Sequence, residues 1–149
     1  MRYAKQIAGL LIGLSGMVGV AIAANDAGMI KKLTGKVTVE RNDQVIAAKM
    51  GDTLQQGDKI TTAKNSSVGI TMRDGSMLSS GAESVIVLDK FVFNSTTHAG
   101  AMETSLKRGT LGVISGKIAK TSPETVKFRT QYTTLGVRGT EFIIETTND

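Results

Sequence analysis

Alternation of polar and apolar residues runs through most of the chain after residue 33. Lys36-Val37-Thr38-Val39-Glu40 places β-branched residues at every second position, the pattern of a half-buried strand, and Arg41-Asn42-Asp43 is turn chemistry ahead of Val45 and Ile46. A first hairpin is predicted there. Gly51-Asp52 and Gly57-Asp58 bracket Thr53-Leu54, each pair suited to a turn in which glycine takes a positive φ and the aspartate accepts from nearby backbone N–H groups. Ile60, Val68, Ile70 and Met72 continue the alternation until Arg73-Asp74-Gly75-Ser76 breaks it, and an Asp-Gly pair between alternating runs is a strong hairpin signal.

Beyond that turn, Met77 to Ser80, Val85 to Leu88 and Phe91 to Phe93 read as strands, and Asn94 to Gly100 as a polar loop holding His98. Met102 to Arg108 is assigned to strand, because Gly100 and Gly109 bracket it too closely for a helix of any length. Leu106, Leu111, Val113 and Ile114 form a strand region punctuated by Gly109, Gly112 and Gly116, followed by Lys117-Ile118-Ala119-Lys120. Pro123 marks a loop into Thr125-Val126-Lys127-Phe128-Arg129, where Val126 and Phe128 face one way and the two cations the other. Strands recur roughly every 8 to 12 residues and no segment after residue 23 sustains helical periodicity, which together predict an all-β domain. The glycines imply many bends, so the expected form is a single compact domain of many short strands, a twisted β-sandwich or solenoid-like.

The first 23 residues differ. Arg2 and Lys5 precede an apolar run, and Ala21-Ile22-Ala23 offers the small residues a signal peptidase needs, so residues 1–23 are expected to be a signal-peptide helix cleaved before Ala24. The competing reading is an uncleaved anchor, because the apolar stretch Ile7 to Ala24 is 18 residues long. The expected organisation is then a leader over 1–23, a short polar linker over 24–32 and the β domain over 33–149. Cleavage would leave no membrane span and imply a periplasmic or secreted protein.

Composition narrows the chemistry. Net charge is +5 for 149 residues, and without Arg2 and Lys5 the remainder carries 16 basic against 13 acidic residues, net +3. The cations are spread rather than clustered or interleaved with aromatics, which argues against a nucleic-acid partner. Cysteine is absent, so disulfides and thiolate metal sites are excluded. There is no tryptophan, and Phe91, Phe93, Phe128, Tyr132 and Phe142 all lie in the second half, which is therefore expected to be the better packed.

A single histidine, with no Gly-x-Ser-x-Gly, His-Glu-x-x-His, Walker or Rossmann pattern, argues against an enzyme. His98 has no sequence neighbour to orient it as a base. Asp52, Asp58, Asp74 and Glu83 lack the close spacing of a calcium loop, so no metal or other cofactor is expected.

The least generic stretch is Thr134-Leu135-Gly136-Val137-Arg138-Gly139-Thr140-Glu141-Phe142-Ile143-Ile144-Glu145, where glycines flank one arginine ahead of a strand. This stretch, with Gly57-Asp58-Lys59-Ile60-Thr61-Thr62, Val68 to Ser76 and Gly109 to Ile118, resembles in order the motifs of the FecR domain family of bacterial envelope modules. The resemblance spans roughly residues 33 to 146 and singles out Gly57, Asp58, Asp74, Gly75, Gly116, Gly136, Arg138, Gly139, Thr140 and Phe142 as motif positions, structural or interacting. Arg138 has two readings: a guanidinium tying down the last strand, with Asp74 or Glu83 as a candidate partner, or a contact for an anion on another molecule.

The resemblance implies an all-β envelope domain. Its signalling members pair the domain with a receptor across the periplasm and carry a cytoplasmic segment, whereas only six residues precede the apolar run here. The function this implies is binding of an unidentified envelope protein, by a strand edge or a surface. The alternatives are a glycan or anionic-polymer module, and a membrane-anchored sigma-factor regulator if the leader is retained. Oligomeric state is not legible at this level.

Overall fold

The computed structural model describes residues 26–137 and 140–147; the expected leader helix, Arg138 and Gly139 lie outside the described residues. Twelve strands form one continuous sheet that curls around a single core as a half-barrel. They are β1 (Asp26–Thr34), β2 (Val37–Arg41), β3 (Gln44–Ala47), β4 (Thr53–Gln55), β5 (Lys59–Thr62), β6 (Ser67–Met72), β7 (Met77–Ser80), β8 (Val85–Phe93), β9 (Gly100–Ile114), β10 (Val126–Arg129), β11 (Thr134–Gly136) and β12 (Glu141–Thr146). A five-residue helix α1 (Lys117–Thr121) and a 3-10 turn (Pro123–Thr125) follow β9. All pairings are antiparallel except β9 with β10.

The turns behave as their residues dictate. Asn42 and Asp43 both take positive φ, 51° and 62°, as the two-residue link between β2 and β3 requires. Between β6 and β7, Gly75 N–H donates to the Met72 carbonyl at 3.0 Å with Gly75 at φ 85°, so a tight turn ends in a left-handed glycine and frees Asp74 to point inward.

Two expectations need correction. The span 24–32 is not a linker from Asp26 onward: β1 begins there and pairs with both β4 and β6. Its alternation was hidden because a register shift between Ile30 and Lys32 puts Lys31 and Lys32 side by side on the surface. The glycine-punctuated region is not a set of short strands either. Residues 100 to 114 form one strand of 15 residues.

That strand is the spine of the fold. Its first part bonds β8 along one edge and β10 along the other, and its last part bonds β7 and β12. The half-barrel thus has a β8 wall (β3, β2, β5, β8, β10, β11) and a β7 wall (β4, β1, β6, β7, β12) that share β9. The bend sits at Gly109, at φ 90°, where a Cβ would lie 2.1 Å from Ser84 Oγ and 2.7 Å from Ser84 Cα. No other residue satisfies both that backbone angle and that approach. Between the walls lie Ile30, Leu54, Ile60, Leu78, Ile86, Leu88, Met102, Leu106, Leu111 and Phe128, all essentially inaccessible. The second half contributes Phe91 and Phe128 to this core, while Tyr132 is 73% exposed.

At the end formed by β3 and β4, the walls are clasped by Arg41. Its guanidinium donates to both oxygens of Asp58, from Nε at 2.8 Å and Nη2 at 2.6 Å, and Nη2 also donates to the Thr53 carbonyl at 3.1 Å. Asp58 is fully buried and also accepts from Gln55 N–H at 2.8 Å. The hydrogen bond to Asp58 raises the Arg41 pKa above its usual value, against the lowering effect of burial. Replacing Arg41 by Ala would leave a buried carboxylate without its counter-ion, and is expected to cost about 3 kcal/mol. Urea unfolding should show the loss as a lower midpoint with an unchanged slope, whereas a shift of a few tenths of a kcal/mol would mean that the clasp is dispensable.

Candidate functional site

The described motif residues separate into three places. Gly57 and Asp58 form the turn into β5 and belong to the Arg41 clasp. Asp74, Gly75 and Gly116 meet at a second point, although 40 residues separate the two segments in sequence. Asp74 is fully buried. Its Oδ1 accepts from Ser76 N–H at 3.0 Å, and its Oδ2 accepts from Ser76 Oγ at 2.8 Å and from Ile118 N–H at 3.3 Å. Its backbone carbonyl accepts from Lys117 N–H at 2.9 Å. Gly116, at the start of α1, has no capping side chain of its own, so the cap comes from a turn remote in sequence.

Gly116 N–H in turn donates to Ser76 Oγ at 2.9 Å. A Cβ at Gly116 would stand 2.4 Å from Ser76 N and 2.6 Å from the Asp74 carbonyl oxygen, so only glycine lets the two backbones approach this closely. The same node reaches the last strand, because Ser115 N–H donates to the Thr140 carbonyl at 2.7 Å. Asp74 therefore spends its acceptor capacity on Ser76 and on the head of α1. Glu83, the other candidate partner for Arg138, is exposed in a turn, where its backbone carbonyl accepts from Arg108 Nε at 3.1 Å.

Gly136 and Phe142 mark the third place. They line an open groove of about 990 Å³ at the end of the half-barrel opposite the Arg41 clasp. Ala119 and Pro123 supply one rim, Leu135 and Val137 another, and Phe142 and Ile144 the third; Glu124 and Lys127 add the charges. Phe128 and Phe142 meet edge to face beneath it, ring centroids 5.2 Å apart, and so join β10 to β12. Among the described residues, β11 pairs only with β10 and β12 only with β9, so each presents an unpaired edge beside the groove.

Sequence reasoning placed Gly136 and Phe142 in one motif but not the groove they share with α1 and the 3-10 turn. The helix was not foreseen, since five residues carry too little periodicity to register. His98 lies in the β8–β9 turn at φ 61° and stacks on Phe93 with centroids 6.1 Å apart. Among the described residues, no three His, Asp or Glu side chains are grouped as metal ligands, and no helix is long and apolar enough to cross a membrane.

The family described as FecR protein matches residues 58–149, from the clasp aspartate through the node to the groove. The chain belongs to the FecR family. In this FecR domain the matched span leaves out β1 to β4, although β1 and β4 complete the β7 wall. No curated protein matches the chain. It is similar to a solved structure titled "Cell surface anchoring domain", with 36% identity over 42% of this chain and 83% of that one, at a TM-score of 0.40.

Gly116→Ala is expected to lower stability by about 2–3 kcal/mol through backbone overpacking. Asp74→Ala should cost about as much, by leaving Ser76 and Ile118 N–H groups buried without an acceptor. Because both act on one node, a double-mutant cycle should give a sum smaller than the two separate losses. Full additivity in chemical denaturation would show that they stabilise different parts of the FecR domain.

Proposed function

We propose that this FecR domain is a non-enzymatic envelope module that binds another envelope protein in the groove between β11 and β12. The observation that carries this reading is the pairing of an apolar groove with two unpaired strand edges. Backbone groups along such edges accept an added strand, and pockets beside them select its alternate side chains. An extended segment with apolar residues at every second position would lay them over Phe142 and Ile144 while its backbone bonds β12 or β11. The clasped end also has two terminal strands, β3 and β4, but the pocket between them is only about 330 Å³ and Arg41 and Asp52 line it, so it is smaller and carries charge. A location outside the inner membrane accords with the leader pattern of residues 1–23.

The test is site-specific photocrosslinking in intact cells, with the probe at Thr134 on the groove rim and Leu135→Asp as the variant. Leu135 is 37% exposed, so the substitution leaves the core intact while placing a charge in the groove. A discrete protein adduct that falls at least tenfold with Leu135→Asp is expected, corresponding to about 1.4 kcal/mol or more of binding. Adducts of equal yield in the variant, or retention only on cell-wall polymer in a salt-sensitive way, would overturn the reading in favour of a different surface or a polysaccharide ligand.

A further inference from the structure

The outer face of the β7 wall has a composition that water alone does not explain. Across it the strands run β12, β9, β7, β6, β1, and their registers align outward side chains into rows. One row holds Glu141, Ile114, Met77, Thr71 and Met29, of which Ile114 is 43% exposed, Met77 50% and Met29 36%. The next holds Ile143, Gly112, Ser79, Gly69 and Lys32. Its three central positions carry nothing larger than a hydroxymethyl group. The result is a flat trough bordered by exposed methionine and isoleucine.

Charge on this face is segregated. Glu141 and Glu145 project from β12 at one side, Lys31 and Lys32 from β1 at the other, and between them the outward positions of β7, of β6 and of the last part of β9 (Thr110, Gly112 and Ile114) are neutral. A face with opposite charges at its two margins and a small, apolar middle is complementary to itself.

We infer that this face packs against the same face of a second copy of the chain, about a two-fold axis running along β7. Rotation about that axis lays β12 over β1 and β9 over β6 while keeping each row opposite itself. Ser79 then meets Ser79, Gly112 meets Gly69, and the Met77 side chains pack together at the centre. Each Lys32 lands opposite Ile143, with Glu141 and Glu145 of the facing copy about 7 Å away on either side along the strand. A two-fold axis running across the strands would instead stack glutamates on glutamates and lysines on lysines. Closed symmetric pairing also requires one self-complementary patch, which this is. The face is about 19 Å wide, five strands at the usual spacing. That is narrow beside a standard interface of about 800 Å² per partner, so the dimer is a weak and reversible one. Ile143 borders both this face and the groove, but the β11 edge and Leu135 belong to the groove alone, so Leu135→Asp distinguishes the two.

Sedimentation of the purified chain, from about 10 µM to about 1 mM, reads the association directly. Wild type should shift with concentration toward twice the monomer mass. Ser79→Arg fills the trough and should remain monomeric throughout. Lys32→Glu should weaken the dimer at least tenfold, and combining it with Glu141→Lys and Glu145→Lys should restore it, which a merely unfolded variant would not do. Leu135→Asp should dimerise as wild type. A wild-type monomer across the whole range, a dimer indifferent to Ser79→Arg, or a charge reversal that is not rescued would each overturn the inference.

Discussion

A strand that bonds in two walls at once must turn without surrendering its ladder, and β9 does this at Gly109. The positive φ re-aims the strand, and the missing side chain admits Ser84, whose Oγ accepts the Thr110 N–H at 3.1 Å just past the bend. Thr62 supports the same corner, accepting from Ser84 N–H at 2.9 Å and donating to the Gly81 carbonyl at 2.6 Å. Because β8, β10, β7 and β12 all hang from this one backbone, the angle at Gly109 sets how far the walls close over the core. A straight β9 would leave the apolar faces of both walls in water.

The two ends of the half-barrel solve the problem of open edges differently. At one end a buried ion pair spans the gap, with Asp58 held by three donors and Arg41 reaching on to β4. Buried pairs of this kind contribute little net stability but penalise the wrong arrangement heavily, so the clasp fixes register more than it adds energy. At the other end, among the described residues, the walls meet below the surface, where Phe128 packs against Phe142. Above that contact the edges of β11 and β12 stay apart, and the node of Asp74, Ser76 and Gly116 anchors the helix that forms the groove's rim.

Much of this was legible where the signal is local. The alternation in β2, the positive-φ turn at Asn42-Asp43 and the Asp-Gly hairpin each need only a few adjacent residues. The Gly-Asp turns were also readable, and Asp52 and Asp58 do accept from Lys49 and Gln55 N–H three residues back. What adjacency cannot show is the remote partner: Arg41 lies 17 residues before Asp58, and Ser76 40 residues before Gly116. The glycines of β9 misled for a related reason. Punctuation by Gly109 and Gly112 looks the same whether a strand ends or bends, and only the packing of Ser84 and Ser79 against them tells which. Likewise Lys31-Lys32 reads as solvated linker unless the bulge that sets them side by side is known.

The parallel pairing of β9 with β10 also bears on how the domain is assembled in time. The hairpins β2–β3, β6–β7 and β8–β9 close through short turns, whereas β10 can join β9 only after α1 and the 3-10 turn have carried the chain back across the end of the sheet. Short-range pairs form in microseconds, while pairings that require a crossover wait on the entropy of closing the loop. By the same reasoning the groove forms after these three hairpins, so a recognition surface there exists only on molecules in which they are already paired.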